Sequence, residues 1–125
     1  MKYKVTNSEA VGKIARREDF SNSTGSLTGK DLGIHPTSTR FGWLPEWAGR
    51  ELSKVGRAFV VFSYNTPIGW FDYQRGIWAV PRVRYSNVTS RHQGLLRRAI
   101  GDSPGEYLYF NSVTSEVYQR VEWKR

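Results

Sequence analysis

Three runs decide the fold: Ala58-Phe59-Val60-Val61-Phe62-Ser63-Tyr64, Ile68-Gly69-Trp70-Phe71-Asp72-Tyr73, and Ile77-Trp78-Ala79-Val80-Pro81-Arg82-Val83-Arg84-Tyr85. Each is rich in β-branched and aromatic residues, the types that pack well on a pleated surface. Asn65-Thr66-Pro67 reads as a turn or bulge between the first two. Gln74-Arg75-Gly76 reads as a tight turn between the second and third, with Gly76 at a position of positive φ. Proline cannot donate to a ladder, so Pro81 predicts that the third strand lies at a sheet edge or is bulged there. The stretch Tyr85-Ser86-Asn87-Val88-Thr89-Ser90-Arg91-His92-Gln93 then opens a helix over about 89–100, with Asn87 or Thr89 as its cap. On that helix His92, Leu96, Ala99 and Ile100 share a side that suits packing on the sheet. Arg91, Leu95 and Arg98 share another. Gly101 is placed to end it.

Working outward, residues 2–6 suit a short strand, and Asn7 or Ser8 can cap a helix over about 8–18. Residues 21–40 are dominated by Gly, Ser and Thr and read as a loop with at most a weak strand near Ser26-Leu27-Thr28. Gly25, Gly29 and Gly33 do not make a phosphate cradle, because no Gly-Lys-Ser/Thr follows. Pro45 fits the first position of a short helix running to about Lys54. Glu106 to Phe110 reads as a strand. Residues 113–123 fit strand and helix periodicity equally well. The expected fold class is α+β: a single domain over residues 1–125, with an antiparallel sheet of about four strands and two to three helices packed on it.

Nineteen Lys and Arg, mostly Arg, against eleven Asp and Glu leave a net charge of +8. Guanidinium groups suit bidentate phosphate contacts and stacking on rings. Hydrophobic residues make up 38% of the chain, too many for a disordered polycation. With no Cys and two distant His residues, neither a disulfide framework, a zinc site nor another cofactor is implied. No apolar run is long enough for a membrane span, and the first residues lack the apolar core of a secretory signal. A cytoplasmic protein with no membrane partner is the expectation, its oligomeric state open.

Arg75, Arg82, Arg84, Arg91, Arg97 and Arg98 form the candidate set for phosphate contacts. A charged edge strand protected from aggregation would explain Arg82 and Arg84 equally well. Trp43, Trp47 and Tyr64 are candidates for base stacking or partner contact, although Trp43 and Trp47 could equally cover one edge of the core. In the polar stretch, Asn87, Thr89, Ser90, His92 and Gln93 read first as a joint that satisfies helix N–H groups and ties the helix to the strand ends. A catalytic reading of His92 lacks support. No Asp or Glu lies within nine residues of it, and no Gly-x-Ser-x-Gly elbow occurs. His35 reads as a surface residue. No enzymatic activity is expected.

The segments Ser8-Glu9, Ser63-Tyr64-Asn65-Thr66-Pro67-Ile68, Trp78 and Tyr85 to Gln93 resemble a family of small uncharacterised proteins encoded by bacterial viruses and plasmids. The resemblance implies mobile DNA in a bacterial cell as the setting and carries no activity. The chain departs from that pattern by a long aromatic segment over about 32–56, read as an insert. Two functions follow as expectations: binding of DNA or RNA through an Arg-rich face, or contact with a bacterial host protein to inhibit a defence or housekeeping system.

Overall fold

The computed structural model of the chain describes residues 4–34, 42–101, 105–111 and 115–120. They form one eight-stranded sheet with three helices. In chain order the elements are β1 (Lys4–Val5), α1 (Asn7–Ala15), β2 (Phe20–Asn22), β3 (Leu27–Ile34) and α2 (Glu46–Ser53). They continue with β4 (Arg57–Ser63), β5 (Thr66–Asp72), β6 (Ile77–Pro81), α3 (Asn87–Gly101), β7 (Gly105–Phe110) and β8 (Ser115–Arg120). Strand order in the sheet follows chain order from β1 to β8. The α+β class is as expected, but the sheet is twice the expected size and mixed in direction.

Two neighbouring pairs are parallel, β1 with β2 and β6 with β7, and all others are antiparallel. Each parallel pair is joined through a helix, because a hairpin cannot connect parallel neighbours. β1 and β6 point the same way, and both crossovers step in the same direction along the sheet. A common crossover hand therefore puts α1 and α3 on one face. There Ala10, Val11 and Ile14 of α1 meet Leu96, Ala99 and Ile100 of α3 over Phe59, Val61, Ile68, Trp78 and Val80. The second face is covered by α2, whose Ala48 and Leu52, flanked by Leu44 and Val55, pack on Ala58, Val60, Trp70, Ala79 and Phe110. Burial from both sides explains why β4 is an unbroken apolar run rather than an alternating one.

This arrangement corrects several expectations. Within the segment 32–56, the first residues finish β3, and α2 packs on the sheet as part of the core. β3 is a full eight-residue strand where a loop was expected. Gly29 serves it sterically, because a Cβ there would strike the rings of Phe20 and Phe59. β6 is an interior strand, so Arg82 and Arg84 do not guard an edge. Pro81 is accommodated beyond the last β5 partner, opposite Phe110 of β7. The bulge lies between β4 and β5, where Ile68 is the extra residue.

The helix caps also differ. Thr6 caps α1 in a reciprocal box with Glu9. Ser86 caps α3, with Thr89 N–H donating to its Oγ at 3.3 Å, so Asn87 and Thr89 lie inside the helix. Residues 115–120 are strand; 113, 114 and 121–123 lie outside the described residues, as does His35. Among the described residues no helix is long and apolar enough to cross a membrane.

Candidate functional site

The end of β4, the two-residue connection Tyr64-Asn65 and the start of α3 meet at one end of the sheet. Ser63 is the pivot. Its buried Oγ lies 2.7 Å from His92 Nδ1 and 3.0 Å from Thr89 Oγ1. Ser86 Oγ donates in turn to Thr89 Oγ1 at 3.3 Å. The three hydroxyls thus form one run of contacts, Ser86 to Thr89 to Ser63, that ends at His92 Nδ1. Burial, with the Arg91 charge added, pulls the imidazole below its ordinary value, so the ring is neutral near pH 7. Gln93 Nε2 donates to the Val83 carbonyl at 2.9 Å, locking the helix to the segment before it.

Of the residues expected in this joint, Thr89, His92 and Gln93 are buried within it, while Asn87 and Ser90 face outward. Sequence reasoning missed Ser63 and gave Ser86 no role. Ser63 stands 29 residues from His92 and is one hydroxyl at a strand end, with no local signal.

Above the joint a cleft of about 710 Å³ opens, bounded by residues 42–43, 63–66, 83–86 and Thr89. Trp43 and Tyr64 stand on its walls with 85% and 56% of their surface exposed. Their backbones are fixed. Trp43 N–H donates to Thr66 Oγ1 at 2.9 Å, and Tyr64 N–H to the Ser26 carbonyl at 2.7 Å. Tyr64 holds φ +57°, a left-handed conformation that costs a bulky L-residue about 1–2 kcal/mol. Trp47, the third expected stacking residue, is instead half-buried against Phe110, ring edge to face at 5.7 Å and 84°.

The six candidate arginines separate into two groups. Arg75 sits in the β5–β6 turn, at the far end of β6 from Arg82 and Arg84, and its Nε donates to buried Asp72 at 2.8 Å. Arg82 stacks over Tyr109 at 4.4 Å. Arg84, Arg91, Arg97 and Arg98 are all exposed and make no ion pair or hydrogen bond with another described residue. Arg84 lines the cleft, and the other three ride on α3, which contains no Asp or Glu. At 100° per residue, Asn87, Arg91, Gly94, Arg98 and Gly101 form the outward ridge of α3, and Ser90 and Arg97 flank it. The contrast with the rest of the chain is sharp: Arg16, Arg50 and Arg57 each pair with a carboxylate, and Arg17 covers the Phe71 ring. Among the described residues no group of three or more His, Asp or Glu side chains could hold a metal ion.

Residues 11–107 match the profile of a family of unknown function. No curated protein and no solved structure matches the chain.

Proposed function

The chain belongs to that family, DUF8033, and we propose that it binds nucleic acid along the segment from Arg84 to Arg98. One observation carries this reading. The arginines elsewhere among the described residues whose contacts are named above are engaged internally, whereas four on this segment reach solvent with no acidic neighbour on α3. Unpaired guanidinium groups along an outward ridge are a footprint for phosphates. The overall charge of +8 adds long-range attraction to a polyanion. The joint beneath the ridge has a structural role, and no catalysis is assigned to His92 or Ser63.

Binding of labelled DNA and RNA, followed by fluorescence anisotropy at low and moderate salt, tests the proposal. Tight binding at low salt with a steep loss as salt rises is expected. Arg91→Gln with Arg98→Gln should weaken it. No binding at low salt would overturn the reading.

A second reading rests on Trp43. A Trp ring 85% exposed, next to Tyr64 and Arg84, has the composition of a protein-interface hot spot. The partner would then be a bacterial host protein, in keeping with the resemblance to proteins of viruses and plasmids and with action in the bacterial cytoplasm. Recovery of the same partner from nuclease-treated bacterial lysate, lost on Trp43→Ala, would support this second reading.

A further inference from the structure

We infer that the nucleic acid is single-stranded and that the cleft between Trp43 and Tyr64 takes an unpaired base, while the strand's phosphates run from Arg84 onto the α3 ridge. This rests on the nucleic-acid reading above and adds the form of the ligand and the place of its base. Charge alone does not distinguish strand from duplex, because both carry phosphates. The rings do. In a duplex the base faces are stacked on one another, and only a splayed base offers a face to an aromatic side chain.

Three observations place that face here. The cleft, at about 710 Å³, lies within the range of about 300–1,000 Å³ typical of small-ligand pockets. Its walls carry two large rings held out in water on anchored backbones, an arrangement the core does not need. Tyr64 maintains a strained φ to stand there, in a two-residue connection where Gly or Asn would be unstrained. Asn65 borders the same cleft, exposed, and offers an amide to a base edge.

Continuity with the ridge follows from chain geometry. Arg84 lines the cleft, and α3 begins three residues later. Arg91 and Arg98 succeed it along the helix, about 10 Å apart at 1.5 Å per residue. Gly94 lies between them on the ridge, and a Cβ there would meet nothing within 4 Å among the described residues. The fold gains nothing from a glycine at this position. A strand crossing the ridge gains a closer approach to the helix backbone.

The test uses the full chain and a short mixed-sequence oligonucleotide, presented as single-stranded DNA, single-stranded RNA and duplex DNA. Four variants are compared with the parent. Trp43→Ala removes one ring, and Tyr64→Gly removes the other while suiting the positive φ. Tyr64→Phe restores a ring, and Arg91→Gln removes a charge. The expected result is preference for a single strand over the duplex. Trp43→Ala and Tyr64→Gly should each cost single-strand affinity about 5- to 100-fold and leave duplex binding unchanged. Tyr64→Phe should retain the affinity, and Arg91→Gln should weaken both forms alike.

Equal binding of strand and duplex, indifferent to Trp43→Ala and Tyr64→Gly, would overturn this inference and leave the nucleic-acid reading standing. Failure of all three probes to bind at low salt would overturn both and return the cleft to a protein partner.

Discussion

Ser63 shows how one hydroxyl can hold two elements together. It terminates β4 and meets two buried side chains of α3, so its loss would leave His92 Nδ1 without its partner and Thr89 Oγ1 with Ser86 alone. Ser63→Ala should therefore lower stability by about 1–3 kcal/mol in urea unfolding, the usual result of leaving buried polar atoms unpaired. His92 adds a pH dependence of defined sign. Its folded-state value is depressed by burial and by Arg91, so between that value and the unfolded 6.5 the unfolded chain binds more protons. The stability it contributes is complete above the unfolded value and is lost as pH falls through the folded one. The urea midpoint should drop as pH is lowered from about 7 toward 5. His92→Asn, whose amide can replace Nδ1, should flatten that slope at some cost in overall stability. Tyr85 makes the opposite case. Its hydroxyl is buried without a hydrogen-bond partner among the described residues, and burial pushes its pKa up to about 12. Tyr85→Phe should leave stability unchanged or raise it by up to about 1 kcal/mol, and a clear loss would mean that the hydroxyl has a partner.

At the scale of elements, α3 was largely legible in the sequence. Its buried side of His92, Leu96, Ala99 and Ile100 follows from helical periodicity, and that side does face the sheet. Its start was misplaced because Ser, Asn and Thr crowd the same few positions, and only the Ser86–Thr89 contact identifies the cap. β3 was missed for a related reason. Gly29 and Gly33 weaken its strand propensity, but close packing of the Phe20 and Phe59 rings requires the missing side chain at Gly29. Glycines in α3 and β5 yield opposite predictions. Gly94→Ala meets open space and should stabilise the protein by up to about 1 kcal/mol in thermal or urea unfolding. On the binding inference it should also weaken single-strand affinity. Gly69→Ala would drive a methyl into Leu96, which sits fully buried between α3 and the sheet, and should destabilise by about 1–3 kcal/mol.

For the molecule as a whole, composition gives the excess of arginine, and tertiary structure decides which arginines are left facing solvent. Which arginines are spent internally depends on contacts such as Arg57–Asp31 at 2.7 Å, across 26 residues, and no local pattern announces them. Arg75 looked equivalent to Arg84 in sequence, yet Asp72 holds it at the far end of the sheet. If Arg84, Arg91, Arg97 and Arg98 carry the phosphates, the log–log salt slope for a single strand should be about −3, and each Arg→Gln should reduce its magnitude by about 0.7. A titration at several salt concentrations measures both. Neutralising Arg75 should leave the slope unchanged.

The sheet's strand order bears on how the protein is made. Every strand lies beside its predecessor in the chain, so no strand waits for a distant partner before it can pair. During synthesis each new strand would leave the ribosome next to a finished edge, and each pairing closes only the one connection just made. Nascent chains arrested after β6 should already protect β4 and β5 from protease. Chains arrested after β4 should not, because the pair at the centre of the sheet would still lack its second member.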